Sequence, residues 1–233
     1  MRTNPERSSI PPWLGLAFGV LAVSTASIFI RFAQEEAPSL VIAAYRLSVA
    51  TLLISPIALI KYHQELRQLS VRELGLALFS GIFLAMHFAV WITSLEYTTV
   101  ASSAVFVTTI PLWVAILSPF TIKEPISRLV LGGIAIALFG GVIIGLSDLC
   151  QSQGFTLSCP SLTEFASGKA FWGDILAVIG AIMAACYMLI GRKLRAKMSL
   201  ISYVFMVYGM AALVLVLLVG FAGYHRFSYS PKT

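Results

Sequence analysis

Seven long apolar segments constrain this chain more than any other feature of its sequence. Each is about as long as a helix must be to cross the hydrocarbon of a bilayer. Hydrocarbon offers the backbone no hydrogen-bond partners, so each segment must satisfy its own N–H and C=O groups as an α-helix. The sequence predicts an all-α, polytopic helical membrane protein in contact with the lipid bilayer. The segments span about residues 13–30, 39–60, 74–95, 97–122, 129–147, 174–191 and 198–223.

The basic residues follow the predicted topology. With the N-terminus placed in the cytoplasm, eleven of the sixteen Lys and Arg residues lie on the inner side and four on the outer side, and Arg46 lies within a helix. This skew is the positive-inside pattern of inserted helices. The net charge of +6 is therefore explained without a nucleic-acid partner. We expect an integral, multi-pass protein of the plasma (inner) membrane with a cytoplasmic N-terminus.

The N-terminal apolar segment is expected to remain in the protein as a helix. It is long for the apolar region of a signal peptide, and Arg31 follows it with no clear A-x-A cleavage site. A cleaved leader is the less favoured alternative.

The chain divides at its one long connection. Residues 1–12 form a cytoplasmic tail, residues 13–147 hold five closely connected helices, and residues 148–171 form an external loop. Residues 172–224 then repeat the beginning of the first unit, because WGDILAVIGAIMAACYMLIGR echoes WLGLAFGVLAVSTASIFIR, and residues 225–233 form a tail. A repeated unit with an odd number of helices enters the membrane inverted, as in many secondary transporters.

Two cysteines, Cys150 and Cys159, lie in the external loop. They could form a disulfide if the compartment is oxidising. The alternative is a pair of free thiols.

The strongest motif begins with WITSLEYTTVASSAVFVTTIPLW at residue 91. It combines a turn of small residues with Pro111, Glu124, Gly133 and Gly140, at intervals of thirteen, nine and seven residues. This pattern resembles the end of the EamA-type repeat of the drug/metabolite transporter superfamily, and AAYRLSVATLL, which contains Arg46, resembles the family's second helix. The resemblance covers the first five segments well and the last two weakly.

The resemblance implies a ten-helix transporter of small metabolites, often an exporter, built from two inverted five-helix halves around a central cavity. This chain would then hold one five-helix repeat and the first two helices of the inverted second repeat, apparently without its last three helices. We expect either a fragment of a longer protein or a truncated relative.

Arg46 is the sharpest candidate for function. Charged residues inside membranes usually face a bundle interior or an aqueous path. A guanidinium can bind a carboxylate or phosphate with two parallel hydrogen bonds. The alternative is that Arg46 bonds backbone carbonyls and locks the bundle.

Several helices offer other polar or aromatic side chains at about the depth of Arg46. His87 could carry a proton or act as a neutral hydrogen-bonding residue, and the aromatic residues could contact substrate or only pack. His87 and Trp91 share one helical face with Ser80 and Ser94, which we interpret as lining a polar cavity. The predicted substrate-binding residues are Arg46, His87, Trp91, Thr108, Thr109, Ser24 and Tyr187.

Proline and glycine suggest where helices bend or approach each other. Pro111 should kink the fourth helix, either as a hinge or as a static bend. The pair Gly15 and Gly19, and Gly133, Gly140 and Gly141 of the fifth segment, permit close helix contact within the chain or in a homodimer.

Acidic residues are absent from the helix centres, and Asp174 at the outer start of the sixth segment is expected to cap that helix. Carboxylates are the usual ion relays of pumps, so facilitated export or exchange is favoured. No catalytic, cofactor or metal motif is recognisable, so no enzyme activity is expected.

The sequence therefore predicts a transporter of small polar metabolites, such as amino acids, that works by alternating access at a mid-membrane site. The alternatives are a seven-helix receptor and a truncated fragment that does not transport.

Overall fold

The protein is helical almost throughout its described part. A computed structural model describes residues 11–121, 126–147, 151–153, 156–158 and 167–224. Two short strands, β1 (Gln151–Gln153) and β2 (Thr156–Ser158), pair antiparallel. The helices are α1 (Pro12–Ala33), α2 (Ser39–Lys61), α3 (His63–Arg67), α4 (Val71–Tyr97), α5 (Val100–Val107), α6 (Ile110–Thr121), α7 (Arg128–Ser147), α8 (Lys169–Arg195) and α9 (Leu200–Phe221).

Six described stretches are long and apolar enough to cross a membrane: α1, α2, α4, α5 together with α6, α8 and α9. The remaining predicted segment forms α7, whose stretch Arg128–Ile144 is apolar but shorter. Large apolar side chains such as Leu53, at 73% exposure, cover the outer surfaces of the helices. The predicted class, a polytopic helical membrane protein, is confirmed.

Helix α4 lies at the centre of the bundle. Its most extensive interface is with α8, and it also packs against α9 and α2, which in turn pack against each other. Small side chains fill these contacts, because small residues allow backbones to approach closely where apolar burial gives little driving force. Fully buried alanines in α4, α8 and α9 are Ala77, Ala85, Ala177, Ala181, Ala184, Ala185 and Ala211.

Local sequence signals set the ends of α4 and α9. Ser70 and Glu73 form a capping box at the start of α4. Ser199 caps α9 through the backbone N–H of Ser202. At the other end of α9, Gly223 has φ 75°, and the N–H of Tyr224 donates to Val219 O. This is a Schellman motif, in which glycine adopts a conformation that other residues avoid.

The fourth predicted segment is broken rather than kinked. Helix α5 ends at Val107, a turn at Thr108 and Thr109 follows, and Pro111 is the second residue of α6. Proline has no N–H to donate to the carbonyl of Val107, and its ring would clash with that carbonyl in a continuous helix. Pro111 therefore favours the start of a new helix here, within the fourth membrane-spanning stretch, where α5 ends and α6 begins. Whether this break moves stays a prediction.

Charged side chains form ion pairs and hydrogen bonds at both ends of the bundle. At the inner end, Lys197 Nζ lies 3.2 Å from Glu73 Oε1, and Glu65 accepts the backbone N–H of Ser199. Both contacts join the turn before α9 to the region around α3 and the start of α4. We call this end the inner end because the excess of Lys and Arg predicts that it faces the cytoplasm.

At the outer end, Asp174 Oδ1 accepts hydrogen bonds of 2.8 Å from the hydroxyls of both Thr98 and Ser102. The expectation that Asp174 caps the sixth helix is wrong. Helix α8 starts five residues earlier and its N-cap is Gly168. Asp174 instead accepts from two hydroxyls that have little exposure, and it thereby ties α8 to the start of α5.

Of the glycines that the sequence singled out, Gly141 lies at a helix contact, because a Cβ added there would be 3.6 Å from Val105 and 3.9 Å from Phe106 on α5. A Cβ added to Gly15, Gly19, Gly133 or Gly140 would meet nothing within 4 Å in the described structure. Close contacts instead occur at other glycines, on α4 and α8, namely Gly81, Gly173, Gly180 and Gly191. The predicted homodimer contact at Gly15 and Gly19 stays a prediction.

Candidate functional site

Arg46 lies on α2 among aromatic side chains. Its Cζ is 5.5 Å from the ring centroid of Phe88 on α4, a distance at which the ring face attracts the cation. Tyr208 on α9 is close enough to interact with it electrostatically. The guanidinium thus lies where α2, α4 and α9 meet.

The Nη1 atom of Arg46 is buried and has no hydrogen-bond partner among the described residues. The alternative of a structural lock requires the guanidinium to bond backbone carbonyls, and no such bond to Nη1 is present in this part of the chain. Buried polar groups nearly always have a partner. An unpaired, charged donor in an apolar setting therefore favours a binding role.

His87 is held between α4 and α8. Its Nδ1 lies 2.8 Å from the carbonyl oxygen of Gly180. A carbonyl only accepts, so Nδ1 carries the proton and donates. The imidazole stacks on Trp91 at 5.7 Å with an interplanar angle of 12°, and its centroid lies 6.4 Å from the ring of Tyr187.

Phe88 connects Arg46 to this stack, because its ring centroid is 6.1 Å from that of Trp91. Four predicted site residues are thus brought together with one that sequence reasoning missed. We call Arg46, His87, Phe88, Trp91 and Tyr187 the Arg46 cluster. Trp91 also has a buried Nε1 with no partner among the described residues.

The face of α4 that carries Ser80, His87, Trp91 and Ser94 is buried, as predicted. It packs against α8 more than it lines a cavity. Ser80 Oγ donates to Tyr187 O at 3.2 Å, and Tyr203 Oη lies 3.3 Å away. Near the other end, Ser94 Oγ is 2.7 Å from Ser103 Oγ on α5. These hydroxyls join helices, as expected where no water competes for them.

A cavity of about 370 Å³ opens beside Arg46, between α1 and α2. Its lining is mostly apolar, including Ala22, Ala26 and Phe29, and Thr25 contributes a hydroxyl. That volume is in the range of sites for small organic molecules. Arg46 is itself one of the residues that line the cavity.

The other predicted binding residues lie elsewhere. Ser24 is exposed on α1 and does not line the cavity beside Arg46. Thr108 and Thr109 line a separate cavity of about 330 Å³ against α7, together with Pro111. Thr109 Oγ1 donates to Phe106 O at 2.6 Å and accepts from Trp113 Nε1 at 3.2 Å. A role for these three residues in binding stays a prediction.

The described residues include one of the three cysteines. Cys150 and Cys159 lie outside the described residues, whereas Cys186 on α8 is a half-buried free thiol. Among the residues described here, no three His, Cys, Asp or Glu side chains are grouped so that they could hold a metal ion.

Comparison with known proteins adds two findings. A family model described as "EamA-like transporter family" matches residues 12–146, which is more than half of the chain. A protein from Archaeoglobus fulgidus named "Uncharacterized transporter" is 26% identical over 224 residues, covering 94% of this chain and 70% of the relative. No solved structure matches this chain.

Proposed function

The chain belongs to the EamA-like transporter family, and from this premise we propose that it moves small polar metabolites through a site at the Arg46 cluster. It is an integral, multi-pass membrane transporter. The observation that carries the proposal is the buried, unpaired Nη1 of Arg46 beside a cavity of ligand size. An intramembrane charge with a donor that has no hydrogen-bond partner among the described residues is a functional-site signal.

Transport by alternating access requires two halves that move against each other around the site. The proposed halves are the first five-helix repeat and the beginning of an inverted second repeat. Helices α2 and α9, the second helices of the two units, pack against each other and both contact α4. This arrangement supports a site at the level of Arg46, where the second unit packs on α2 and α4 beside the cavity between α1 and α2.

Export or exchange is the proposed mode, because the described acidic side chains bond at the ends of the bundle rather than at its centre. Membership of a transporter family favours transport over a seven-helix receptor. The remaining alternative, a fragment that inserts without transporting, makes an opposite prediction in a flux assay.

Counterflow in proteoliposomes tests the proposal. Vesicles holding the purified protein are preloaded with one unlabelled metabolite from a panel of amino acids, organic acids and amines, and a trace of the same labelled compound is added outside. We expect labelled compound to accumulate transiently above its equilibrium level for at least one panel member. Protein-free vesicles provide the baseline, and Leu53→Ala on the lipid-facing surface should behave as the unaltered protein does. Correct insertion without counterflow for any member would favour the non-transporting fragment.

The proposed orientation is tested by single cysteines in a protein whose native cysteines are replaced by serine. Glu35 and Gln64 are exposed at opposite ends of the bundle. We expect a membrane-impermeant maleimide to label Glu35→Cys in intact cells, and Gln64→Cys only after the membrane is permeabilised. The reverse pattern would place the N-terminus outside and overturn the assigned topology.

A further inference from the structure

The Arg46 cluster also constrains the chemical class of its ligand. We propose that the site selects an organic anion with a single carboxylate and an apolar or aromatic body, and that it rejects amines and zwitterions of the same size. This inference rests on the proposed function, because it names the substrate class of the same site.

The unpaired groups of the cluster are hydrogen-bond donors. Arg46 Nη1 and Trp91 Nε1 are both buried without a partner among the described residues. Guanidinium and indole nitrogens only donate, and the guanidinium stays charged in proteins. A group that binds the guanidinium must therefore accept hydrogen bonds and carry negative charge, as a carboxylate does.

The described structure places no negative charge beside the cluster. At the outer end, Asp174 accepts from Thr98 and Ser102, and Glu96 accepts from Ser39. At the inner end, Glu73 pairs with Lys197. A ligand ammonium at the level of Arg46 would face a like charge and would find no carboxylate to pair with it. A carboxylate there neutralises the guanidinium instead.

A third buried atom without a partner among the described residues is an acceptor. It is Oε1 of Gln34, at the C-terminal end of α1. The amide nitrogen of Gln34 is bonded to Ser39 Oγ and to Ile92 O, both at 2.7 Å. These bonds hold the Gln34 side chain at the outer end of the bundle, and its neutral amide supplies no negative charge to pair with a ligand ammonium.

The walls around the charge are apolar and aromatic. Phe88 lies against the guanidinium, Trp91 lies beyond Phe88, and the adjoining cavity is lined by Ala22, Ala26 and Phe29. Burial of an apolar ligand body against such walls is favourable, whereas a second ligand charge would have to be desolvated without a partner. One carboxylate and one apolar body therefore fit the site better than two opposite charges.

Three matched probes test the inference: phenylacetate, 2-phenylethylamine and phenylalanine. They share the phenyl ring and differ in charge. Binding to the purified full chain in nanodiscs is measured by titration calorimetry. We expect phenylacetate to bind at least about tenfold more tightly than either of the others, the ratio that 1.4 kcal/mol produces. Equal affinity for the three probes, or no binding of phenylacetate, would overturn the inference.

Variants of Arg46 and Trp91 test whether these two hydrogen-bond donors produce the preference for phenylacetate. Arg46→Ala should abolish the preference for phenylacetate, and Arg46→Lys should retain part of it. Trp91→Phe keeps an aromatic ring but removes the N–H together with part of the ring area, so phenylacetate affinity should fall several-fold while the order of the probes is kept. Unchanged affinity in folded Arg46→Ala protein contradicts the inference. The comparison of probes on the unaltered protein decides the question even if a variant does not fold.

The inference and the proposed function can fail separately. If phenylacetate binds with the expected selectivity but neither it nor any panel compound shows counterflow, the anion site stands and the transport proposal fails. If a panel compound shows counterflow while phenylacetate does not bind, transport stands and the anion site is wrong.

Discussion

Arg46→Ala protein is expected to transport its substrate roughly 10- to 100-fold more slowly than the unaltered protein. The reason is that hydrogen bonds to a charged partner contribute about 1.5–3 kcal/mol, and each 1.4 kcal/mol is about tenfold in affinity. The buried Nη1 has no hydrogen-bond partner among the described residues. The alanine substitution therefore breaks no described hydrogen bond of Nη1 within the protein. The measurement is the initial counterflow rate at low substrate concentration, divided by the amount of inserted protein.

Two further variants separate binding from packing at this position. Arg46→Lys keeps a positive charge but cannot form two parallel hydrogen bonds, so its rate should lie between those of the alanine variant and the unaltered protein. Leu53→Ala alters an exposed side chain of the same helix and should leave the rate unchanged. Normal flux through Arg46→Ala protein, inserted at the usual level, would show that Arg46 does not bind substrate.

The fold class could be predicted because a bilayer restricts what an apolar chain can do. Segments of membrane-spanning length without charge must form helices, and the six described membrane-spanning stretches coincide with predicted segments to within a few residues. Helix ends were less predictable. Asp174 has the residue type of an N-cap, but α8 extends past it because hydroxyls of Thr98 and Ser102 supply its hydrogen bonds from another helix.

Sequence reasoning selects four of the five members of the Arg46 cluster. His87 and Trp91 were placed correctly on one face of α4, and Arg46 and Tyr187 lie near them because their helices surround that face. The prediction of Thr108 and Thr109 rests on their positions along the fourth segment. Depth does not determine which neighbour a helix faces, and these two threonines lie toward α7. Phe88 was missed because its role depends on the guanidinium that another helix places against its ring.

Gly81→Ala is expected to destabilise the protein by about 1–3 kcal/mol, the usual cost of an added methylene in a well-packed core. A Cβ at this position would lie 2.6 Å from the Cβ of Met210 and 2.8 Å from the carbonyl oxygen of Val207. Both contacts lie on α9, and neither atom is the free end of a flexible side chain. These clashes can be relieved only if α4 and α9 move apart, which weakens their packing at the centre of the bundle.

Gly75→Ala is the matched control, because Gly75 is on the same helix and an added Cβ there meets nothing within 4 Å. Alanine is the better helix former at an unhindered position, so this variant should be as stable as the unaltered protein or slightly more so. The measurement is the midpoint of thermal unfolding of the purified proteins in one detergent. Equal midpoints for the two variants would mean that α4 and α9 do not pack closely at Gly81. The predicted contrast depends on which neighbour each glycine faces, and the sequence alone directed attention to other glycines, at Gly15 and Gly19.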